Sequence, residues 1–238
     1  MNSAVVLLFA AAALRISVPY AFAAMGACFS ERGGVICIAL EGILLNSALG
    51  YTLGAYATHD PWLGVLAALL AGMATAWLHA IVTVHARADQ ITSGLGLNLL
   101  AAGLTRFVLV QVFQSSANSP RVVGLPELPL GPLADLPVLG PLLAQPLVLL
   151  ALLLVPATHV LLSRSVFGLR LRTMGERPEA GAALGLSVGG IRTAGVLLCG
   201  ALTALGGAWL ASDQHSFSDG MTGGRGYIAL AAMIVGKW

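Results

Sequence analysis

Six long apolar runs, separated by short polar breaks, constrain this chain more than any other feature. Each run is close to the roughly 20 residues that a helix needs to cross about 30 Å of hydrocarbon. Only 9% of the 238 residues are charged, against roughly 25% in soluble domains. Because lipid cannot satisfy open backbone groups, runs of this length favour helices over barrel strands. The sequence predicts an all-α, polytopic transmembrane helical bundle, with about six to seven spans in a single domain, residues 1–238.

The boundaries of the spans follow from the polar breaks. The predicted spans are 4–29, 35–57, 62–84, 91–113, 141–162 and 193–211, with a last short apolar run at 227–238. The first span is expected to be retained and kinked near Pro19, since no basic residue precedes it and Arg15 interrupts it. The Pro-rich connection 114–140 is expected to run over the outer surface. The last run is too short to span, which predicts either a fragment of a longer protein or a re-entrant segment.

Segment 163–192 carries five arginines and two glutamates, and no other break is as charged. Short Arg-rich loops stay in the cytoplasm, so alternation of the spans places the N-terminus outside, together with Arg121 and Arg225. A short helix is predicted at 180–186, beginning near Pro178 and ending at Gly189 and Gly190. The segment is either a solvated loop whose arginines set orientation, or a contact site for a cytosolic partner.

Glu41 is the single residue most indicative of function, because it is a carboxylate inside an apolar run. An unpaired carboxylate in a membrane-spanning helix costs about 2.5–3.5 kcal/mol on insertion scales. Arg106, inside the fourth run, is one candidate partner. The alternatives are a structural ion pair, a place near the helix start that interfacial water reaches, or a role in a transport path.

Other small and polar residues recur at helical spacing. Gly50 and Gly54 form a GxxxG pair that permits close helix approach. Small and polar residues also share one face of the fourth run, at Gly94, Asn98, Ala101 and Thr105. Asn46, Asn98 and Thr105 either hydrogen-bond a polar solute or join neighbouring helices, which is the commoner use.

Motifs for enzymatic chemistry are missing from the sequence. Gly236-Lys237 lacks the upstream glycine of a Walker A loop, and Trp238 stands where Ser or Thr is required. The five histidines show no ligand spacing, and no GxSxG or HExxH occurs. Net charge is only +2, and the three cysteines form no CxxC. We therefore expect no enzyme, no cofactor, no metal and no nucleic-acid partner, and cysteines that act as small buried hydrophobes.

Three segments together resemble the permease subunits of bacterial ABC importers of the ribose and branched-chain amino acid type, in the nucleoside and simple-sugar branch. They are SERGGVICIALEG at 30–42, GLRLRTMGERPEAGAALGLSV at 168–188, and DGMTGGRGYIALAAMIVGKW at 219–238. The resemblance covers nearly the whole chain. Two positions depart from the usual pattern: Gly181 replaces an alanine, which would loosen its helix slightly, and Cys37 replaces an asparagine.

The resemblance implies roles for particular residues. Segment 163–192 would be the cytoplasmic coupling loop, and its contact residues for the ATPase would be Arg170, Arg172, Gly175, Glu176, Pro178, Glu179, Ala180 and Gly185. The residues of the translocation path, or buried polar positions beside it, would be Glu41, Asn46, Asn98, Thr105 and Arg106.

The resemblance also implies a function: the permease subunit that forms the translocation path for a small polar solute, a nucleoside or simple sugar. Its implied partners are cytosolic ABC ATPase subunits that bind the ATP, a second permease in a homo- or heterodimer, an extracytoplasmic solute-binding protein and the lipid bilayer. The location would be the bacterial cytoplasmic (inner) membrane. Two alternatives remain: an ATP-independent channel or secondary transporter relying on Glu41, and a membrane assembly or anchor protein.

Overall fold

The apolar runs form helices throughout the part of the chain that a computed structural model describes, residues 3–129, 140 and 143–237. The helices are α1 (Ser3–Arg32), α2 (Leu40–Thr58), α3 (Pro61–Ala80, continued by a π-helical turn at Ile81–His85), α4 (Gln90–Phe113), α5 (Pro146–Arg164), α6 (Val166–Glu176), α7 (Pro178–Ala183), α8 (Val188–Gln214) and α9 (Arg225–Val235). Residues 130–139, 141 and 142 of the predicted connection and fifth span lie outside the described residues, as does the final tryptophan; Pro132, Pro137 and Pro141 are among them.

Five helices of the described ranges are long and apolar enough to cross a membrane: α1, α3 with its π-helical turn, α4, α5 and α8. Helix α2 has 19 residues and also reaches the necessary length, but Glu41, Asn46 and Thr52 make it more polar. It packs against both α3 and α8, where Asn46 donates to Thr75 of α3 and Thr52 is buried. The predicted all-α transmembrane bundle is confirmed, and the predicted number of spans roughly agrees.

Side-chain caps set where two of these helices begin. The Asp60 carboxylate accepts the Trp62 backbone N–H at 2.8 Å and starts α3. The Asp89 carboxylate accepts the Thr92 N–H at 2.7 Å and the Thr92 hydroxyl at the same distance, and starts α4. These hydrogen bonds favour the ionised form, so they lower the pKa of the Asp89 carboxyl. The caps explain why α3 and α4 begin directly after the two polar breaks.

Small residues bring α8 into close contact with α2 and α3. A side chain at Gly72 of α3 would meet Ala204, and one at Gly207 would meet the α2 backbone at Leu44. Gly50 and Gly54 of α2 face Ala67, Ala71 and Gly64 of α3. The close approach predicted from the GxxxG pair is therefore confirmed.

An ion pair explains the arginine that interrupts the first apolar run. The Arg15 guanidinium of α1 donates to Asp213 Oδ1 near the end of α8, at 2.9 Å from Nε and 2.5 Å from Nη2. Helix α1 continues through Pro19 without ending; the expected kink there stays a prediction.

The predicted second span is wrong at its start, because residues 35–39 are not helical and α2 begins only at Leu40. Leu44 shares a hydrophobic cluster with Ala23 of α1 and Ala229 of α9. Ala23 lies about 14 Å of helix rise before the end of α1. Both α2 and α9 therefore begin inside the bundle rather than at its surface.

Alternation of the spans placed Arg225 on the outer side, and that placement stays a prediction. After α8 the chain turns back between the helices, and Arg225 is the first residue of α9. Its guanidinium donates to the Met221 carbonyl oxygen at 2.6 Å and to the Thr222 carbonyl oxygen at 3.1 Å. Both bonds are donated by Nη1 and hold the side chain against the turn that precedes α9.

The close packing of α8 predicts a contrast between two glycine substitutions. Gly207→Ala should destabilise the protein by about 1–3 kcal/mol, because its methyl group would meet the α2 backbone. Gly103→Ala in α4 should be neutral or stabilising by up to about 1 kcal/mol, because its Cβ would lie in open space. Thermal unfolding in detergent measures both. Equal melting temperatures for the two variants would contradict the close α2–α8 contact.

Candidate functional site

The non-helical turn 33–39, which joins α1 to α2, is bound by side chains from its surroundings. Ser30 Oγ donates to the Val35 carbonyl oxygen at 2.6 Å. The Ile36 N–H donates to Gln90 Oε1 of α4 at 2.7 Å, and the Ile36 carbonyl oxygen lies 3.2 Å from His79 Nε2 of α3. Irregular backbone inside a membrane protein needs such partners. These contacts give Gln90 and His79 a structural role that sequence reasoning missed.

Asn98 of α4 fixes the end of this turn. Its Oδ1 accepts the Gly42 N–H at 2.8 Å, and its Nδ2 donates to the Ile38 carbonyl oxygen at 3.0 Å and to the Tyr227 hydroxyl at 2.8 Å. All four residues of the predicted small and polar face of α4 are buried, and Gly94 leaves room for Ile38. The packing face is confirmed, and the side chain of Asn98 joins α4 to α2 and α9.

Glu41 does not pair with Arg106, so the hypothesis of an ion pair between them is wrong. Glu41 Oε1 accepts the Gly224 N–H and Oε2 accepts the Gly226 N–H, both at 2.7 Å. Arg106 is exposed on the face of α4 away from the packed side. The start of α9 supplies free N–H groups, and the positive end of a helix favours a carboxylate. Glu41 is the second residue of α2, which agrees with the alternative of a place near a helix start; access of interfacial water to it stays a prediction.

A cavity of about 440 Å³ opens beside Glu41, between α2, α4 and the turn that precedes α9. Its polar wall consists of Glu41, Asn98, Thr222 and Tyr227, and its apolar wall includes Leu45, Leu95, Leu99 and Ala102. Leu99 is 76% exposed. The cavity combines a few convergent polar groups with apolar walls, as small-molecule sites do.

The remaining predicted path residues lie away from this cavity. Asn46 Nδ2 donates to Thr75 Oγ1 of α3 at 2.9 Å, and its buried Oδ1 has no hydrogen-bond partner among the described residues. Thr105 is buried and donates to the Ala102 carbonyl oxygen at 3.2 Å. The first of these hydrogen bonds joins α2 to α3 and the second lies within α4, and neither Asn46 nor Thr105 lines the cavity.

Segment 163–192 is mostly helical rather than a loop. Ser165 Oγ accepts the Gly168 N–H at 3.0 Å and starts α6. Helix α7 begins at Pro178 but ends at Ala183, because Gly185 adopts a left-handed conformation with φ +76°. The predicted end at Gly189 and Gly190 is wrong: both lie in the first turn of α8, which Ser187 caps.

The exposed side of α6 and α7 carries most of the predicted coupling residues. Arg170, Glu176, Glu179, Ala180 and Gly185 are exposed, and Arg172, Gly175 and Pro178 are half-buried. Leu184, at the tip, is 79% exposed. An exposed surface that combines charged residues with an apolar tip is suited to contact with another protein.

Gly181, which departs from the usual alanine, faces inwards. It is buried, and a Cβ there would overlap the Met174 side chain of α6. The glycine allows α7 to lie directly on α6, so close packing offsets the flexibility expected from this residue.

Arg192 connects this region to the turn 33–39. Its Nη2 donates to the Met174 carbonyl oxygen at 2.9 Å, and its Nε donates to the Gly33 carbonyl oxygen at 3.1 Å. Gly175 leaves room for the Arg32 carbonyl oxygen, since a Cβ at Gly175 would overlap it. Sequence reasoning had used Arg192 only to set orientation; its contacts join three segments.

Comparison with known proteins now assigns the family. Residues 9–238 match the family described as the permease component of branched-chain amino acid transport systems. The chain belongs to this family. It is therefore a multi-pass membrane protein of a transporter permease family.

Curated relatives match over nearly the same length. A nucleoside ABC transporter permease protein of Lactococcus lactis is 41% identical over 93% of this chain and 73% of the relative. A guanosine ABC transporter permease protein of Bacillus subtilis is 35% identical over 95% of the chain and 74% of the relative. A putative glucose ABC transporter permease protein of Haloferax volcanii is 33% identical over 97% and 72%. No solved structure matches the chain.

The contacts of Glu41 predict a contrast with Arg106. Glu41→Gln should destabilise the protein by about 1–3 kcal/mol, because an amide oxygen can accept only one of the two N–H groups and the other stays unsatisfied. Arg106→Gln should change stability by less than about 0.5 kcal/mol, as exposed substitutions usually do. Thermal unfolding in the same detergent measures both. A similar loss in the two variants would support the abandoned ion pair.

Proposed function

We propose that this permease is the membrane subunit of an ABC importer for nucleosides. The two most similar of the relatives described above carry names that specify a nucleoside and guanosine, which favours nucleosides over sugars. The observation that carries the proposal is the pair of hydrogen bonds that Arg192 donates, one to Met174 of α6 and one to Gly33 of the turn 33–39. Through them the exposed surface of α6 and α7 is joined to the turn that leads to the cavity.

The cavity beside Glu41 is the proposed part of the translocation path. It offers hydroxyl, amide and carboxylate groups on one wall and leucines on the other. A nucleoside likewise presents a sugar with several hydroxyls and a flat apolar base. The Asn98 amide and Glu41 carboxylate are held in place by their backbone bonds, so a solute would meet a fixed polar wall.

The exposed side of α6 and α7 is the proposed contact for a cytosolic ATPase, which binds and hydrolyses ATP. Movement of α7 would pass through Met174 to Arg192, and from Arg192 to the turn 33–39. That turn leads into α2, whose residues Glu41 and Gly42 line the cavity. The route gives ATP hydrolysis a mechanical connection to the path, and no cofactor on this chain is required.

Two further partners complete the proposed importer, a second permease subunit and an extracytoplasmic solute-binding protein. Arg32 and Arg172 line one cavity and Arg87 and Arg192 line another, both at the same end of the bundle. The gathering of arginines supports a cytoplasmic location for this end, in a bacterial inner membrane. The binding protein would act at the opposite end. Net charge offers no reason for a nucleic-acid partner.

A secondary transporter is the competing function. Discontinuous helices are common in such proteins, and α2 and α9 both begin inside the bundle. A proton or ion relay through Glu41 is disfavoured, because each of its oxygens already accepts a backbone N–H.

Substitutions at the tip of α7 test the importer. Gly185→Glu and Glu179→Arg should abolish solute uptake and ATPase docking while membrane insertion stays normal. Gly185→Asn is the matched control, because asparagine tolerates the left-handed conformation and adds no charge; it should retain most of the activity. Uptake by the full-length protein, together with co-purification of the ATPase, measures these effects. Wild-type uptake and docking in both charged variants would contradict the proposal and favour an ATP-independent carrier.

A further inference from the structure

A second cavity lies between the cytoplasmic ends of α1 and α5, with α6 as its floor. Its volume is about 260 Å³. Helix α1 contributes Cys28 and Arg32, one turn apart, and α6 contributes Arg172. Helix α5 contributes one face, at Val155, Thr158, His159, Leu162 and Ser163. Apart from Arg172, to which the resemblance assigns an ATPase contact, none of these residues belongs to the proposed path or to the predicted coupling residues.

The polar lining of this cavity is basic. The residues Arg32 and Arg172 are both half-buried and line the cavity from different helices. Arg172 Nε is held by the Gly168 carbonyl oxygen at 3.4 Å, within its own helix, which leaves the other guanidinium N–H groups for a ligand. Two arginines with nearby hydroxyl groups match a phosphate group, which accepts several charge-assisted hydrogen bonds.

The side of the cavity towards the membrane is apolar. Val155 lines it and is 52% exposed, and Leu152, one turn deeper along α5, is 48% exposed. The same groove therefore runs from charged groups at the membrane surface to an exposed apolar helix face. A free anion needs only the charged end, whereas an anionic phospholipid uses both.

We infer that this cavity binds the phosphodiester headgroup of an anionic phospholipid, with an acyl chain lying along Val155 and Leu152. Basic recesses between transmembrane helices at the cytoplasmic surface are suited to such headgroups. A bound lipid would join α1, α5 and α6, the three helices that hold the coupling region against the bundle. The inference does not depend on which solute is transported.

Lipid binding to the full-length protein, purified in a neutral detergent and stripped of lipid, tests the inference. The probe is phosphatidylglycerol, titrated against the wild type, Arg172→Gln and Arg170→Gln and followed by native mass spectrometry and by melting temperature. Arg172→Gln should weaken phosphatidylglycerol binding at least about tenfold. Arg170→Gln, on the exposed side of the same helix, should weaken it by no more than about fivefold, the effect of losing general attraction from one arginine.

Three further arms make the result decisive. Phosphatidylethanolamine, which has no net charge, should bind more weakly than phosphatidylglycerol, and inorganic phosphate should not raise the melting temperature. Ser163→Asp places a negative charge in the cavity without altering either arginine and should also reduce binding, which keeps the test open if Arg172→Gln does not fold. Equal losses in Arg172→Gln and Arg170→Gln, equal binding of both lipids, or equal stabilisation by phosphate would each overturn the lipid assignment.

Discussion

The structure depends on one interruption of helix, between Arg32 and Leu40. Backbone groups of the turn 33–39 lie among packed helices, where an unsatisfied N–H or C=O costs about 1–3 kcal/mol. The side chains of His79, Gln90 and Asn98 reach this turn from α3 and α4, and Arg192 reaches it from α8. A requirement for hydrogen bonds therefore determines how four segments are arranged.

The same requirement connects the two ends of the functional site. At the cytoplasmic end, Arg192 holds the turn against α6. At the inner end, Glu41 holds the start of α9 through Gly224 and Gly226, beside the cavity. In the proposed mechanism, a movement at either end would change the backbone partners at the other, because the intervening turn is short and held by specific bonds. Coupling through discrete contacts of this kind is what a bistable transporter needs.

Sequence patterns predicted the parts of the fold that periodicity and local composition determine. The apolar runs, the packing face of α4 and the GxxxG contact of α2 were all confirmed. The helix start at Leu40 could not be predicted, because the turn before it is held by side chains of α4 that lie 54 to 60 residues away in sequence. The partners of Glu41 could not be predicted either, because they are N–H groups more than 180 residues away. The end of α7 at Gly185 was missed because glycine signals a stop only when its backbone is left-handed, and three glycines competed for that role. The contacts of Arg192 were not predicted, because its positive charge was already explained by the cytoplasmic location of its segment.

The most direct test of this account is whether ATP hydrolysis changes the cavity through Arg192. Ala102→Cys places a thiol in the cavity wall of the assembled transporter, and its labelling rate can be compared with and without vanadate-trapped nucleotide, against the parent chain as background. The account predicts that trapping changes the labelling rate, and that adding Arg192→Met removes the change while ATP hydrolysis continues. An unchanged response in the Arg192→Met variant would contradict the proposed connection.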